Sequence, residues 1–291
     1  MTKGILPRAI SGLREIAADY DALICDIWGV VHDGHTPFQS AVEALTRFRR
    51  DRKPVVLLTN APRLASDISA QFDRIGVSRS CCDAIVTSGE AARAELAARA
   101  AVTGHLAFFN LGPERDKATY EGLPVSPVGA DEAELVLCTG LFNDEVEGPD
   151  DYTELLQRFR SRDLLFICAN PDVSVRRGGV IIYCAGALAR RYEEMGGKVV
   201  YFGKPYRPIF EAALSTVRTF APAERILFIG DGLETDIRGA NLMNLDSLFI
   251  AGGLAAAEIG NLPPQQADER LKQMFAHHGV RAHARMDALR W

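Results

Sequence analysis

Short continuous apolar runs alternate with longer amphipathic stretches along most of this chain. Strand-length runs fall at 22–26, 54–59, 83–87, 106–111, 134–141, 164–169, 198–202, 225–230 and 246–250. Between them the apolar residues recur at helical spacing, which predicts helices over 39–50, 64–75, 89–101, 150–161, 185–195, 207–219 and 234–243. Val/Ile/Leu/Phe runs separated by helices predict an α/β fold with a parallel sheet covered on both faces. No internal repeat, heptad or low-complexity tract is visible.

The middle of the chain is patterned differently. Residues 112–133 and 143–151 are rich in Gly, Pro, Asp and Glu, and Pro171–Gly179 is polar, with paired arginines and paired glycines. This predicts a second domain inserted at loops of the first, which surface loops tolerate. The expected division is a first core part at 1–87, an inserted domain at 88–185 and a second core part at 186–291.

Composition narrows the function classes. At 291 residues the chain has room for two domains, and a net charge of -5 gives no reason to expect nucleic acid or an anionic membrane as partner. The amino terminus carries no long apolar stretch and no run is long enough to span a bilayer, so a cytoplasmic location is expected. The six cysteines form no C-x-x-C pair and read as free thiols, mostly buried, in a reducing compartment. The six histidines show no metal-ligand spacing.

Chemistry concentrates where apolar runs end. Leu23-Ile24-Cys25-Asp26 and Ile226-Leu227-Phe228-Ile229-Gly230-Asp231 each finish in an aspartate and a glycine-containing turn, the pattern that sets an acid at the carboxyl edge of a buried parallel strand. Asp26 reads either as a cap for its turn or as a carboxylate nucleophile toward a phosphoryl group. Val55–Asn60 ends in a hydroxyl and an amide, Thr59 and Asn60, which suit a helix cap and phosphate recognition about equally. Lys204, fixed between Gly203 and Pro205 after the run 198–202, is either a solvated charge or a cation set against a phosphate. Gly230-Asp231-Gly232-x-x-Thr235-Asp236 is the most specific segment. Two carboxylates so close repel each other, and a hard divalent cation relieves that repulsion.

Asp, Thr, Lys and Asp/Thr-Asp, in that order and each at a strand end, resemble the four-motif series of the haloacid dehalogenase superfamily. The resemblance spans nearly the whole chain. An insertion between the second and third motifs resembles the subgroup with an α/β cap there, type IIA, which includes nitrophenyl-, pyridoxal- and nucleotide-phosphatases. Thr87-Ser88, Asn170-Pro171-Asp172, Gly186-Ala187-Leu188 and Gly203-Lys204-Pro205 extend the match. The resemblance implies a Rossmann-like core with a cap, a small phosphomonoester substrate, an aspartyl-phosphate intermediate and Mg2+. Carried over by residue, Asp26 is nucleophile and metal ligand, and the main-chain carbonyl of Trp28 is a second ligand. Asp231 and Asp236 complete the metal site. Thr59, Asn60 and Lys204 bind phosphate, and Asn170 and Asp172 lie on a cap loop facing the substrate, near Arg176 and Arg177. Relatives in this subgroup often dimerise through the cap, so a homodimer is a further expectation.

One position departs from the pattern. Most phosphatases of the superfamily have an aspartate two residues after the nucleophile, as general acid and then base. Here that residue is Trp28, whose indole donates a hydrogen bond but cannot shuttle a proton. Losing general acid–base catalysis costs about 10²–10⁴ in rate, so a slow phosphatase is expected. The alternatives are a phospho-ligand binding protein without turnover and a phosphotransferase. His32 and Asp33 follow on the same loop, and His32 reads first as an exposed loop histidine, second as a substitute acid.

Overall fold

The computed structural model describes residues 5–177 and 180–291. The chain forms two compact units, one of Met1–Thr59, Ser69–Val86 and Phe210–Trp291, the other of Asn60–Ile68 and Thr87–Ile209.

The first unit is built on a seven-stranded sheet. In spatial order its strands are Arg8–Ala9, Ala284–Met286, Asp246–Ile250, Ile226–Gly230, Ala22–Asp26, Val55–Thr59 and Ala84–Thr87. The pairings from Arg8–Ala9 across to Val55–Thr59 are all parallel. Every residue of Ala22–Asp26, Val55–Thr59 and Ile226–Gly230 is buried, as strands covered on both faces must be. The helix Gln39–Arg50 shows why. Ala41, Val42, Ala44, Leu45 and Phe48 recur at helical spacing and are its buried face. Phe72, Phe210, Phe228, Phe249 and Phe275 are fully buried in the same unit, each contributing roughly 1.5–3 kcal/mol by leaving water.

The second unit has its own five-stranded sheet, in the order Lys198–Tyr201, Leu165–Cys168, Leu135–Cys138, Leu106–Leu111 and Val125–Pro127, all parallel. Helix Ser88–Thr103 starts where the Thr87 hydroxyl accepts from the Glu90 N–H and stops at Gly104 in the left-handed region. Its Ala92, Leu96 and Ala100 pack with Phe108 and Ile167. Phe159, Phe166, Leu188 and Tyr192 form a separate cluster with Val136 and Cys168. Ser174–Arg177 and Val180–Tyr183 pair antiparallel, where the sequence suggested only a polar loop. The Arg176 and Arg177 side chains and residues 178–179 lie outside the described residues.

The observed boundary differs from the expected one. The sequence suggests a return to the core at 186, but strand Lys198–Tyr201 is the edge of the second sheet and helix Ala185–Glu194 packs Leu188 and Tyr192 into that unit's core. The second unit also takes residues 60–68, and the crossing back falls at 209. No described helix is long and apolar enough to cross a membrane. Cys25, Cys81, Cys138, Cys168 and Cys184 are buried free thiols and Cys82 is half-buried.

Candidate active site

Parallel register brings three strand ends together at one edge of the first sheet. Asp26 pairs with Leu58, which sets Thr59 one residue beyond it on the neighbouring strand. On the other side Cys25 pairs with Ile229, so Gly230 is level with Asp26 and Asp231 is the next residue out. Asp26 and Asp231 are each 5 % exposed, and Thr59 is buried as well.

Asp236 joins them through a wide helical turn, Leu233–Ile237. Its Oδ2 accepts from the backbone N–H groups of Asp231 (3.1 Å) and Gly232 (2.9 Å). It therefore folds the loop that carries Asp231, besides favouring the helix start. Asp231 is fixed in turn, its Oδ2 accepting from the Leu254 N–H at 2.9 Å. Two glycines leave it just enough room. A Cβ at Gly29, where φ is +82°, would lie 2.3 Å from Asp231 Oδ2, and one at Gly253 would lie 2.0 Å away.

Asp26, Asp231 and Asp236 thus each offer one carboxylate oxygen, all within 4.8 Å of one another, and all three residues are buried. Like charges brought together out of water repel strongly. A divalent cation with a preference for hard oxygen ligands fits this donor set.

Trp28 lies two residues past Asp26 and is half-buried. Its ring meets His32 edge-on at 5.5 Å and closes over Gly34, where a Cβ would come within 2.4 Å of the indole. His32 is not the exposed loop histidine expected from sequence. It is 2 % exposed, lies between Trp28 and Phe72, and its Nδ1 accepts from the Gly34 N–H at 2.8 Å. In the neutral ring the proton is consequently on Nε2. Asp33 accepts from the Thr36 and His35 N–H groups, which hold its carboxyl below the usual range and make it a poor acid near neutrality.

In the second unit Lys204 is 3 % exposed, far from a solvated surface charge. Its backbone N–H donates to Asn60 Oδ1 at 2.7 Å, and its carbonyl accepts from Asn60 Nδ2 at 3.3 Å. Asn60 Nδ2 also donates to Asp172 Oδ1 at 2.9 Å, and the Asp172 N–H donates to Asn170 Oδ1 at 3.1 Å. Asn60, Asp172, Asn170 and Lys204 therefore form one hydrogen-bonded chain. Gly203 precedes Lys204 at φ +145°, and a Cβ there would fall 2.4 Å from the Pro171 ring.

Sequence reasoning passed over Gly253 and Asp116. The doubled glycine 252–253 after a core strand is the signal for the first. Asp116, 4 % exposed, offered none, because its Pro-Glu-Arg-Asp-Lys surroundings read as solvated loop. Burial pushes its carboxyl up to about 6, against the pull of Arg115 and Arg63.

Known proteins agree with this architecture. Residues 23–123 match the haloacid dehalogenase-like hydrolase family, and residues 201–274 match a second family described as HAD-hydrolase-like. A haloacid dehalogenase-like hydrolase from Brucella suis 1330 superposes with a TM-score of 0.83 at 44 % identity, covering 98 % of this chain and all of that one. The ribonucleotide monophosphatase NagD of Escherichia coli K12 is 29 % identical over 249 residues, 83 % of this chain and 92 % of its own. A glycerol phosphate phosphatase from Mycobacterium tuberculosis, solved in complex with magnesium, has a TM-score of 0.65 at 25 % identity, over 86 % of this chain and 74 % of that one. With those motifs at those strand ends, this chain belongs to the haloacid dehalogenase-like hydrolase family.

Proposed function

We propose that this protein is a magnesium-dependent phosphohydrolase acting on a small phosphomonoester, slowed by Trp28. The observation that carries the reading is the convergence of Asp26, Asp231 and Asp236, buried, with carboxylate oxygens within 4.8 Å. Relatives named as a ribonucleotide monophosphatase and a glycerol phosphate phosphatase support the substrate class.

Asp26, Asp231, Asp236 and the Trp28 carbonyl are the residues that would hold Mg2+. When bound, the ion offsets the carboxylate repulsion and adds positive charge where phosphoryl oxygens gather. A carboxylate oxygen of Asp26 attacks phosphorus, the bond from phosphorus to the leaving oxygen breaks, and an aspartyl-phosphate forms. Thr59 and the neighbouring backbone N–H groups bind the phosphoryl oxygens, and Lys204 balances their charge. Asn170 and Asp172 belong to the cap side of substrate recognition, the second unit acting as cap.

The leaving alkoxide must then be protonated and a water deprotonated to cleave the acyl phosphate. Trp28 does neither, and His32 is wedged between two rings. Aryl phosphates, whose leaving groups need little protonation, are therefore the fastest substrates. The test is a phosphomonoester panel with and without magnesium, on wild type and Asp26→Asn. Magnesium-dependent release of phosphate, faster for aryl than alkyl esters and absent from Asp26→Asn, is expected. Equal activity in the variant sinks the proposal.

A further inference from the structure

We infer that Asn60 is a positioning residue that sets the phosphate-binding ammonium of Lys204 by gripping the lysine's backbone. This rests on the reading of Lys204 as a phosphate ligand. Lys204 lies between two regular elements, past the end of strand Lys198–Tyr201 and before helix Arg207–Phe220. Neither ladder reaches its N–H or carbonyl, yet the residue is 3 % exposed, so both groups need partners inside the protein. Asn60 supplies both, its Oδ1 accepting from the N–H at 2.7 Å and its Nδ2 donating to the carbonyl at 3.3 Å.

A primary amide accepts and donates in the same plane without depending on a protonation state. The second Nδ2 donation, to Asp172 Oδ1 at 2.9 Å, fixes which way the amide faces. The carboxamide is thus engaged at both ends within the protein, which makes it a brace rather than a substrate contact. Gly203 at φ +145° has no side chain to restrain the approach to Lys204, and the brace restrains the start of a flexible four-carbon stem. A misplacement of about 1 Å in such a group costs about 10²-fold. Asn60 also follows Thr59 directly, so a single dipeptide carries a phosphate hydroxyl and the support for the phosphate cation.

The experiment is a double-mutant cycle read by the Kd for inorganic phosphate in magnesium, by calorimetry, which needs no turnover. Lys204→Ala should weaken phosphate binding tenfold or more. Asn60→Ala should weaken it about tenfold in the wild-type background and less than twofold in the Lys204→Ala background. Equal losses in both backgrounds would mean that Asn60 acts on general structure, and would overturn the inference while leaving Lys204 as a ligand. An unchanged Kd in Lys204→Ala overturns the reading of Lys204, and the inference with it. If Asn60→Ala does not fold, Asn60→Asp replaces it in the cycle. It keeps the acceptor for the Lys204 N–H, loses both donations and sets a carboxylate against Asp172, with the same two outcomes.

Discussion

The polar edges of the two units are built on opposite principles. In the first unit, like charges are packed together, with Asp26, Asp231 and Asp236 buried within 4.8 Å and glycines cleared around them. In the second unit Asn60, Asp172, Asn170 and Lys204 answer one another donor to acceptor. The first edge gathers carboxylates, the donor set that suits a divalent cation, whereas the second pairs donors with acceptors inside the protein. Substitutions that relieve the first should stabilise the protein while removing activity, and substitutions in the second should loosen geometry without relieving anything.

The sharpest break is at the nucleophile. Asp26→Asn should lower magnesium-dependent hydrolysis by about 10³-fold or more, measured as phosphate release under single-turnover conditions. Retained turnover would take the chemistry away from the first edge.

Trp28→Asp should act in the other direction. On the proposed reading it supplies a proton donor and acceptor two residues past the nucleophile, and it should raise alkyl phosphate hydrolysis by about 10²–10⁴, with a smaller gain for aryl esters. The indole lies over Gly34 and against His32, so folding is checked first by melting temperature. A folded variant with no gain would show that the missing acid is not the deficit.

Asp116 tests whether a single buried acid behaves like the cluster. Its folded-state pKa of about 6 lies above the ordinary 3.8. Between those values the native state holds more protons than the unfolded state, so stability falls as pH rises. The contribution is fully present below about 4 and lost by about 7. The rise from 3.8 to about 6 corresponds to about 3 kcal/mol at most. Asp116→Asn should flatten that part of the stability–pH curve, as measured by urea unfolding at pH 4 through 8. An unchanged slope would show that Asp116 is solvated in solution.

The smallest effect separates the edges thermodynamically. Magnesium at about a hundred times its Kd should stabilise wild type by about 2.7 kcal/mol, about 5–10 °C in melting temperature for a chain of this size. Asp231→Asn should melt higher than wild type in chelator and gain less from magnesium. A variant that melts lower in chelator would mean that repulsion among the three acids is already screened.

Much of this was legible in the chain. Asp26, Thr59 and Asp231 end or follow apolar runs that form buried strands, and the edge these three make follows from the register of that sheet. Lys204 was legible as the residue past an apolar run of the other unit. Which sheet a strand joins is not local. The stretch 185–201 reads as helix and strand wherever it pairs, so the boundary at 186 was set too early. Helix Pro264–His278 was missed because it is polar over most of its surface, with only Leu271, Met274 and Phe275 buried. His32 was misread because its burial comes from Trp28 and Phe72, and Phe72 lies far along the sequence.

The packing around Asp231 carries a consequence for how this gene tolerates change. Gly29 and Gly253 bear no chemistry, yet even a methyl group at either would occupy the space of the Asp231 carboxylate. A saturation scan scored on phosphate release should rank both glycines with Asp231 itself, and tolerate Gly129 and Gly148 far better to alanine, since a Cβ there meets nothing and neither has a positive φ. Mutational sensitivity here marks the empty volume that an acid needs as clearly as it marks the acid.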